Sequence, residues 1–235
     1  MDNAATTVGV SMAQAAKVSE KTMSESRLLK QIADKNSDKD VIAEKVIGEP
    51  ALLKDVYDGL DAKAARVKYG CAKVLRIISD ARPELLYPRF NFFAGLLDSD
   101  NKIMQWQAIY VIANLARVDS RNRFDKIFAR YFSPIPGPVL ITAANVIGAA
   151  AKIALARPEM TDRITAEILK VGRAKYQTAE CRNVALGHAI KSFDQFFNQI
   201  EDKQPVVRLV RRQLKNTRSA TRKKAEKFLA RHAGK

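Results

Sequence analysis

The sequence predicts an all-α protein, built as a right-handed α–α superhelix (a solenoid) of about five helical pairs, and three observations support this. Ala, Leu, Lys, Arg and Ile are abundant among the 235 residues, whereas there are only 10 Gly and 8 Pro. The abundant residues lose little rotamer freedom in a helix, so they favour helix throughout the chain. No run alternates apolar residues with polar β-branched ones, as a half-buried strand would. The third observation is an internal repeat.

This repeat is marked by a Gly-x-Ala tripeptide inside apolar, helix-forming stretches, at Gly70-Cys71-Ala72, Gly148-Ala149-Ala150 and Gly187-His188-Ala189. The first two copies lie 78 residues apart and the last two 39 residues apart. Gly costs about 1 kcal/mol relative to Ala inside a helix, so its recurrence at one phase favours close approach between helices. A period of about 39 residues is typical of stacked helical repeats. Ile109 stands one period after Gly70, so the second pair departs from the rule.

The N-terminal part is expected to lead into the repeats. Residues 1–24 are predicted to be a mobile tail, and residues 25–235 a single helical-repeat domain. A helical lead-in over 25–48 begins with the amphipathic set Leu28, Leu29 and Ile32. Ser37-Asp38 can cap the next helix, which Gly48 ends.

Five helical pairs follow, over about 49–80, 82–118, 120–156, 157–200 and 201–235. Pro50, Pro83 and Pro158 are placed at helix starts, where a missing backbone N–H is least harmful. The prolines of residues 134–138 end the first helix of the third pair. Its second helix, 139–156, is rich in Ala and has too few strongly hydrophobic residues to predict a membrane span.

The chain resembles HEAT and armadillo repeats over about residues 41–232. In HEAT-like repeats a short helix precedes a turn with Asp, and a second helix then opens with a basic residue. Here Asp61 precedes Arg66, and Thr178 precedes Arg182, whereas Gln105 stands where the second pair should have Arg. The resemblance implies that second helices line an elongated concave surface used for binding.

Signals of catalysis are weak, and we predict no catalytic residue, no cofactor and no metal site. The chain has two histidines, His188 and His232, and lacks zinc-protease, nucleophile-elbow and phosphate-loop motifs. We interpret His188 as a packed structural residue and His232 as a solvated residue of the basic C-terminal tail.

One enzymatic branch of HEAT-like proteins is an alternative, namely the alkylpurine DNA glycosylases. The chain is similar to them in length, helical architecture and positive charge. These enzymes hold a damaged nucleotide with a cluster of Trp and Tyr, together with Asp and Arg. Trp106 is the single tryptophan, and paired Trp-rich segments are missing, so we expect a protein that is not an enzyme.

The strongest functional signal is positive charge at the C-terminus. The net charge is +16, and residues 201–235 hold 12 Lys and Arg against 3 Asp and Glu. Arg208, Arg211, Arg212 and Lys215 follow helical spacing and form one face. This face is either a solvated cap of the array or a cap that also binds anions. The candidate anion- or partner-binding residues are Arg208, Arg211, Arg212, Lys215, Arg222, Lys223, Lys227 and Arg231.

The predicted function is a non-catalytic binding scaffold or adaptor for a protein partner, an acidic one fitting the charge best. Basic residues near the turns are candidate groove contacts: Arg66, Lys68, Arg173, Lys175 and Arg182. The alternative is sequence-nonspecific binding to the phosphate backbone of DNA or RNA through the C-terminal pair. Cys71 and Cys181 form no disulfide framework and the N-terminus does not resemble a secretory signal, so we expect a cytoplasmic location, or a nuclear one in a eukaryote.

Overall fold

A computed structural model describes residues 27–232, and every regular element in this range is helical. The predicted tail over residues 1–24 lies outside the described part. The α-helices are α1 (27–33), α2 (Lys39–Gly48), α3 (Leu53–Asp58), α4 (Ala65–Ala81), α5 (Pro83–Leu86), α6 (Phe90–Gly95), α7 (Lys102–Leu115), α8 (Arg123–Phe132), α9 (Leu140–Ala156), α10 (Thr161–Leu169), α11 (Ala179–Phe196), α12 (Gln204–Arg212) and α13 (Ser219–His232). Short 3₁₀ turns join many of them.

Local sequence signals set the helix boundaries. The Asp38 side chain accepts a hydrogen bond from the backbone N–H of Asp40, which confirms the predicted cap of α2. Asn101 caps α7 and Thr178 caps α11 in the same way. These side chains satisfy backbone N–H groups that have no partner within the first helical turn.

The chain divides after Leu85 into two compact units, Met1–Leu85 (unit 1) and Leu86–Lys235 (unit 2). In unit 1, α2 and α3 both pack against α4. A Cβ on Gly70 would lie 2.6 Å from Cγ2 and 2.9 Å from the carbonyl oxygen of Ile32. This glycine therefore permits the close helix approach predicted from the repeat. Our description of residues 25–235 as a single domain remains a prediction.

In unit 2 the second helices of successive pairs form a row, in which α7 packs against α9, α9 against α11, and α11 against α13. The first helices α10 and α12 pack against each other. The cluster of Phe124, Tyr131 and Phe132 on α8 is at most 1% exposed, with ring centroids 5.1 to 6.3 Å apart. Apolar burial of this kind stabilises each pair.

Hydrogen bonds between neighbouring repeats join residues about one period apart. The Tyr110 hydroxyl donates to Asn145 Oδ1 at 3.0 Å, across 35 residues. The Thr221 hydroxyl donates to the backbone oxygen of Asn183 at 2.8 Å, across 38 residues. These bonds follow the repeat that the glycine spacing indicated.

The three marked glycines do not all have the same role. A Cβ on Gly187 would lie 2.9 Å from Thr221 Oγ1 and 3.3 Å from Lys224 Nζ, so α13 approaches α11 closely here. A Cβ on Gly148 would meet no described atom within 4 Å. The expectation of close approach is therefore wrong for Gly148, because this residue faces open space.

The proline-rich loop 134–138 is held by the following repeat. The Lys175 backbone N–H donates to the Pro136 oxygen at 2.9 Å, and the Tyr176 hydroxyl donates to the Ile135 oxygen at 2.6 Å. Gly137 has φ of +108°, and a Cβ there would lie 2.2 Å from the Lys175 oxygen. Glycine is thus required at this position by both backbone conformation and space. Separately, no helix over residues 27–232 has the length and apolar content needed to cross a membrane.

Candidate functional site

The row of second helices in unit 2 presents a continuous set of half-buried and exposed side chains, which we call the second-helix face. On α9 the exposed positions follow helical spacing, so they lie on one side of the helix. The face consists of Ile103, Trp106 and Tyr110 on α7, Ile141, Asn145 and Lys152 on α9, His188 and Lys191 on α11, and Lys224 on α13.

The part of this face over α7 and the first half of α9 carries no charged side chain of the set and is partly apolar. The side chains of Ile103 and Ile141 are 39% and 54% exposed. Trp106 Nε1 donates to Thr142 Oγ1 at 3.0 Å, which fixes the indole ring between the two helices. An apolar surface of this kind can contact aliphatic side chains of a ligand.

The part over α11 and α13 is cationic. His188, Lys191 and Lys224, here called the cationic cluster, influence one another electrostatically. Burial lowers the pKa of the His188 imidazole, and the charges of Lys224 and Lys191 lower it further. Burial also lowers the pKa of the Lys224 ammonium, with additional contributions from Lys191 and Arg218.

No carboxylate among residues 27–232 forms an ion pair with the cationic cluster. The nearby Arg218 is different, because it pairs with Glu180. Lys152, one period before Lys191, donates from Nζ to Asn114 Oδ1 at 2.9 Å. The cluster thus keeps like charges together in a partly dehydrated place, and a bound anion would relieve their repulsion.

Gly187 helps to assemble the cluster. Its hydrogen side chain leaves space for Thr221 and for the Lys224 ammonium, which lies over the α11 backbone. Asn183 of α11 holds the turn that precedes α13, since its Nδ2 donates to Thr217 Oγ1 at 3.0 Å and its Oδ1 accepts from Asn216 Nδ2 at 3.1 Å.

The predicted anion-binding residues have different environments. The four of the α12 region are all exposed, namely Arg208, Arg211, Arg212 and Lys215. On α13, Lys223 and Lys227 are exposed, whereas Arg222 donates to the Asn216 backbone oxygen at 3.2 Å. Arg231 pairs with Asp194, so part of its charge is already neutralised.

The predicted groove contacts are dispersed. Arg66 is exposed and Lys68 half-buried on α4 of unit 1. Arg182 is exposed on α11, and Lys175 is exposed beside the proline-rich loop. Arg173 does not lie on the second-helix face: it lines a groove between α10 and α12, together with Arg208 and Arg212. The structure therefore brings together residues from both predicted sets.

His232 is not a solvated tail residue, and that expectation is wrong. Its side chain is 6% exposed, and its Nε2 lies 2.9 Å from Asp194 Oδ1. The rings of Phe197 and Phe228 cover it, with centroids 4.4 and 4.6 Å away. Packing of the last helix against α11 accounts for this burial.

Sequence reasoning missed the cationic cluster. One signal was present, because Lys152 and Lys191 are 39 residues apart and so share a phase of the repeat. Lys224 gave no such signal, and it was hidden within the Lys- and Arg-rich stretch of α13. Its placement depends on how closely α13 packs over Gly187.

The described residues contain no group of three His, Cys, Asp or Glu side chains that could hold a metal ion. Burial raises the pKa of the Cys71 thiol to about 12, so this cysteine stays protonated at neutral pH. The side chains of the second-helix face offer charge, hydrogen bonding and apolar contact to a ligand.

Comparison with known proteins gives likeness in structure only. No protein-family model matches the chain, and the comparison with curated proteins gives no match. A designed armadillo repeat protein is similar with 17% identity and a TM-score of 0.54, over 88% of this chain and 92% of the other. A computationally designed armadillo repeat protein for modular peptide recognition has 16% identity and a TM-score of 0.55, over 90% and 93%.

An engineered protein from a structural genomics consortium has 14% identity and a TM-score of 0.52, over 87% of this chain and 86% of its own. At these identities the likeness concerns the fold. It confirms the predicted all-α solenoid of the armadillo type, and no narrower family follows from it.

Proposed function

We propose that this protein is a non-catalytic scaffold whose second-helix face binds an acidic segment of a protein partner. The observation that carries the proposal is the cationic cluster: His188 and Lys191 lie three residues apart on α11, and Lys224 of α13 packs over Gly187. None of the three forms an ion pair with a carboxylate of the described residues. Like charges held together cost folding free energy. A ligand that supplies negative charge would compensate for this cost when it binds.

The uncharged part of the face indicates that the ligand is a peptide rather than a small anion. Exposed Ile103 and Ile141 and the half-buried Trp106 extend the surface beyond the cluster, along α7 and α9. A peptide with acidic residues at one end and aliphatic residues at the other would match both parts. A similar fold has been designed for modular peptide recognition, which is compatible with this use.

A reducing intracellular compartment, such as the cytoplasm, is part of the proposal. Cys71 and Cys181 are both free thiols. Chains with unpaired cysteines are common where glutathione keeps thiols reduced.

Binding of a labelled oligoglutamate peptide, measured by fluorescence anisotropy, tests the proposal. The variant Lys191→Glu/Lys224→Glu should weaken binding at least roughly tenfold, because it replaces attraction by repulsion at the contact. The matched control Lys102→Glu/Lys126→Glu changes the net charge equally at exposed positions of α7 and α8. Equal losses in both variants would contradict a localised site, and a wild-type protein that does not bind the peptide would overturn the function.

A second candidate function is binding to nucleic acid through α12. Its support is the exposure of Arg208, Arg211, Arg212 and Lys215, none of which forms an ion pair with another described residue. Four phosphate contacts would give a salt slope of roughly −0.9 for each contact on duplex DNA.

Titration of a nonspecific duplex between about 50 mM and about 200 mM salt tests this candidate. Changing the four residues to Glu should abolish binding, whereas Lys191→Glu/Lys224→Glu should weaken it less. No binding of the wild-type protein at the lowest salt concentration would remove the candidate.

A further inference from the structure

A groove runs between the first helices α10 and α12, on the other side of the repeats from the second-helix face. It consists of two adjoining cavities of about 530 and 350 Å³. Both cavities share Ala166, Leu169 and Pro205, which form an apolar middle section. We call the whole depression the polarised groove, because its two ends carry opposite charges.

One end of the polarised groove is acidic. Asp162, Glu201 and Asp202 line it, and all three are exposed. Asp162 Oδ1 accepts from the Glu201 backbone N–H at 3.2 Å, and Asp202 Oδ1 accepts from the Gln204 backbone N–H at 3.0 Å. No lysine or arginine over residues 27–232 forms an ion pair with these carboxylates.

The other end is basic. Arg173, Arg208 and Arg212 line it and form no ion pair with a carboxylate of the described chain. Lys170 also lies here, but its Nζ is 2.6 Å from Glu167 Oε2, so its charge is largely neutralised. Arginines that line one cavity can bind carboxylates through paired hydrogen bonds.

The wall between the two ends holds a polar group without a partner. Thr165 lines the acidic cavity and is 5% exposed, and its hydroxyl has no hydrogen-bond partner in the structure. Buried hydroxyl groups are usually satisfied. The hydroxyl oxygen of Thr165 is itself shielded from the groove, so the charges at the two ends, rather than this hydroxyl, point to a ligand.

The length of the groove fits a short extended peptide. Asp162 and Arg173 are separated by one helix, α10, and its following turn. At 1.5 Å rise per residue this distance is roughly 15 Å. An extended chain advances about 3.3 Å per residue, so about five residues would span the two ends.

We propose that the polarised groove binds an extended peptide segment of a partner protein, in which a basic side chain and a pair of acidic side chains are about five residues apart. The basic side chain fits between Glu201 and Asp202, and the acidic pair fits at Arg208 and Arg212. Small or aliphatic residues between them pack on Leu169 and Pro205. This site is separate from the proposed function, because it uses none of the cationic cluster.

The charge distribution opposes other occupants. A nucleic-acid strand or an oligoglutamate peptide that lay along the whole groove would place negative charge against Asp162, Glu201 and Asp202. Like charges in contact reduce affinity and so select against such ligands. The two ends together are complementary only to a ligand that carries both signs in order.

Anisotropy with labelled peptides tests this proposal on the full chain. The first probe has one Lys and two Glu at opposite ends of an alanine spacer of about five residues. The second has the same composition with Lys placed between the two Glu residues. The first probe should bind at least roughly fivefold more tightly, since only it can reach both ends of the groove.

Two variants then locate the site. Glu201→Lys changes the acidic end and Arg208→Glu/Arg212→Glu the basic end. Each variant should lower the affinity for the first probe about tenfold. Glu201→Lys should at the same time strengthen binding of oligoglutamate in the groove, which a variant that merely unfolds could not do. Circular dichroism checks that both variants remain helical.

The charge control is Lys102→Glu/Lys126→Glu, at exposed positions that line neither cavity, and it should leave binding of the first probe unchanged. Equal binding of the two probes, or an unchanged affinity in Glu201→Lys, would overturn the proposal. A failure of oligoglutamate to bind the cationic cluster would not overturn this proposal, because the cluster lies on the other side of the repeats.

Discussion

Two of the places where charged groups of neighbouring repeats meet in unit 2 differ in how the charges are compensated. Where α10 begins, Arg157 reaches back to the previous pair and lies 3.3 Å from both Asp119 and Asp125. Where α11 meets α13, Lys191, Lys224 and His188 stand together without a carboxylate partner in the described chain. At the first place ion pairs neutralise the charges, whereas at the second place like charges stay uncompensated.

The pKa shifts express this difference. Burial alone would lower the pKa of the Arg157 guanidinium, but Glu159 and Asp125 raise it above its ordinary value. In the cationic cluster burial and neighbouring charge act in the same direction, so the pKa values of His188 and Lys224 are both lowered. Compensated charge is what a structural contact requires, whereas uncompensated charge is available for a ligand.

The largest effect should follow from Asp119→Ala at the neutralised meeting point. The Asp119 side chain is fully buried and accepts from Tyr87 Oη at 2.7 Å and from the backbone N–H groups of Arg123 and Phe124 at 2.9 Å each. Its removal leaves these three donors without an acceptor and takes one carboxylate from Arg157, which keeps Asp125 and Glu159. The loss should cost roughly 3–5 kcal/mol of unfolding free energy.

Urea denaturation followed by circular dichroism measures this loss. Asp98→Ala is the matched control, because its ion pair with Arg130 is exposed and should contribute less than about 1 kcal/mol. If both variants lose the same free energy, the buried network has no special structural role.

A smaller effect is expected for Gly187→Ala, which tests how the cationic cluster is assembled. A Cβ there would lie 2.9 Å from Thr221 Oγ1, so α13 must shift, at a cost of about 1–3 kcal/mol. Gly148→Ala meets open space in the described structure and should instead stabilise by up to about 1 kcal/mol. Thermal denaturation of both variants gives the comparison, and the same sign of change in both would contradict the different packing of the two glycines.

The third prediction is a substitution that should raise the free energy of unfolding, whereas most substitutions lower it. Lys224→Met keeps the apolar stem of the side chain but removes its charge, so repulsion from Lys191 and Arg218 ends. We expect a gain of a few tenths to about 1 kcal/mol in unfolding free energy. The same variant should bind oligoglutamate more weakly. A loss of stability on removing the charge would show that the cluster is a structural feature.

The smallest effect concerns pH. The pKa of His188 is lower in the folded chain than its ordinary value of about 6.5, so the unfolded chain binds more protons as the pH falls. The contribution of His188 to stability is therefore complete above about pH 6.5 and is lost as the pH falls through the lowered folded value. His188→Gln should reduce this dependence by a few tenths of a kcal/mol, measured by urea denaturation at several pH values.

As the pH falls, the affinity for oligoglutamate should increase, whereas the stability decreases. Protonation of His188 adds a positive charge next to Lys191 and Lys224, so wild-type affinity for oligoglutamate should rise as the pH falls through the lowered pKa of His188. An affinity that rises equally in His188→Gln would assign the effect to another group.

The fold was accessible from the sequence because its signals are local. Proline and glycine mark where helices begin and end, and Asp38 caps α2 as its position predicts. The repeat period was accessible too, since Gly70 and Gly187 do permit close approach between helices. Gly148 was misleading, because a small residue can also face open space.

The candidate sites were less accessible, because they depend on which helices lie side by side. Arg173 and Arg208 are 35 residues apart and belong to different pairs, yet they line one end of the polarised groove. The acidic end is formed by residues that no helical spacing groups together. His232 illustrates the same difficulty, since the aromatic rings that bury it come from two different helices.

The bonds that join repeats of unit 2 have a mechanical consequence. Most of them connect residues 32 to 41 positions apart, as in Tyr87 with Asp119 and Tyr176 with Ile135, so each repeat holds mainly its immediate neighbours. Under tension applied to the C-terminus, α12 and α13 would detach first and the preceding pair would follow. A partner that contacts several repeats at once would raise the force needed to detach each helical pair.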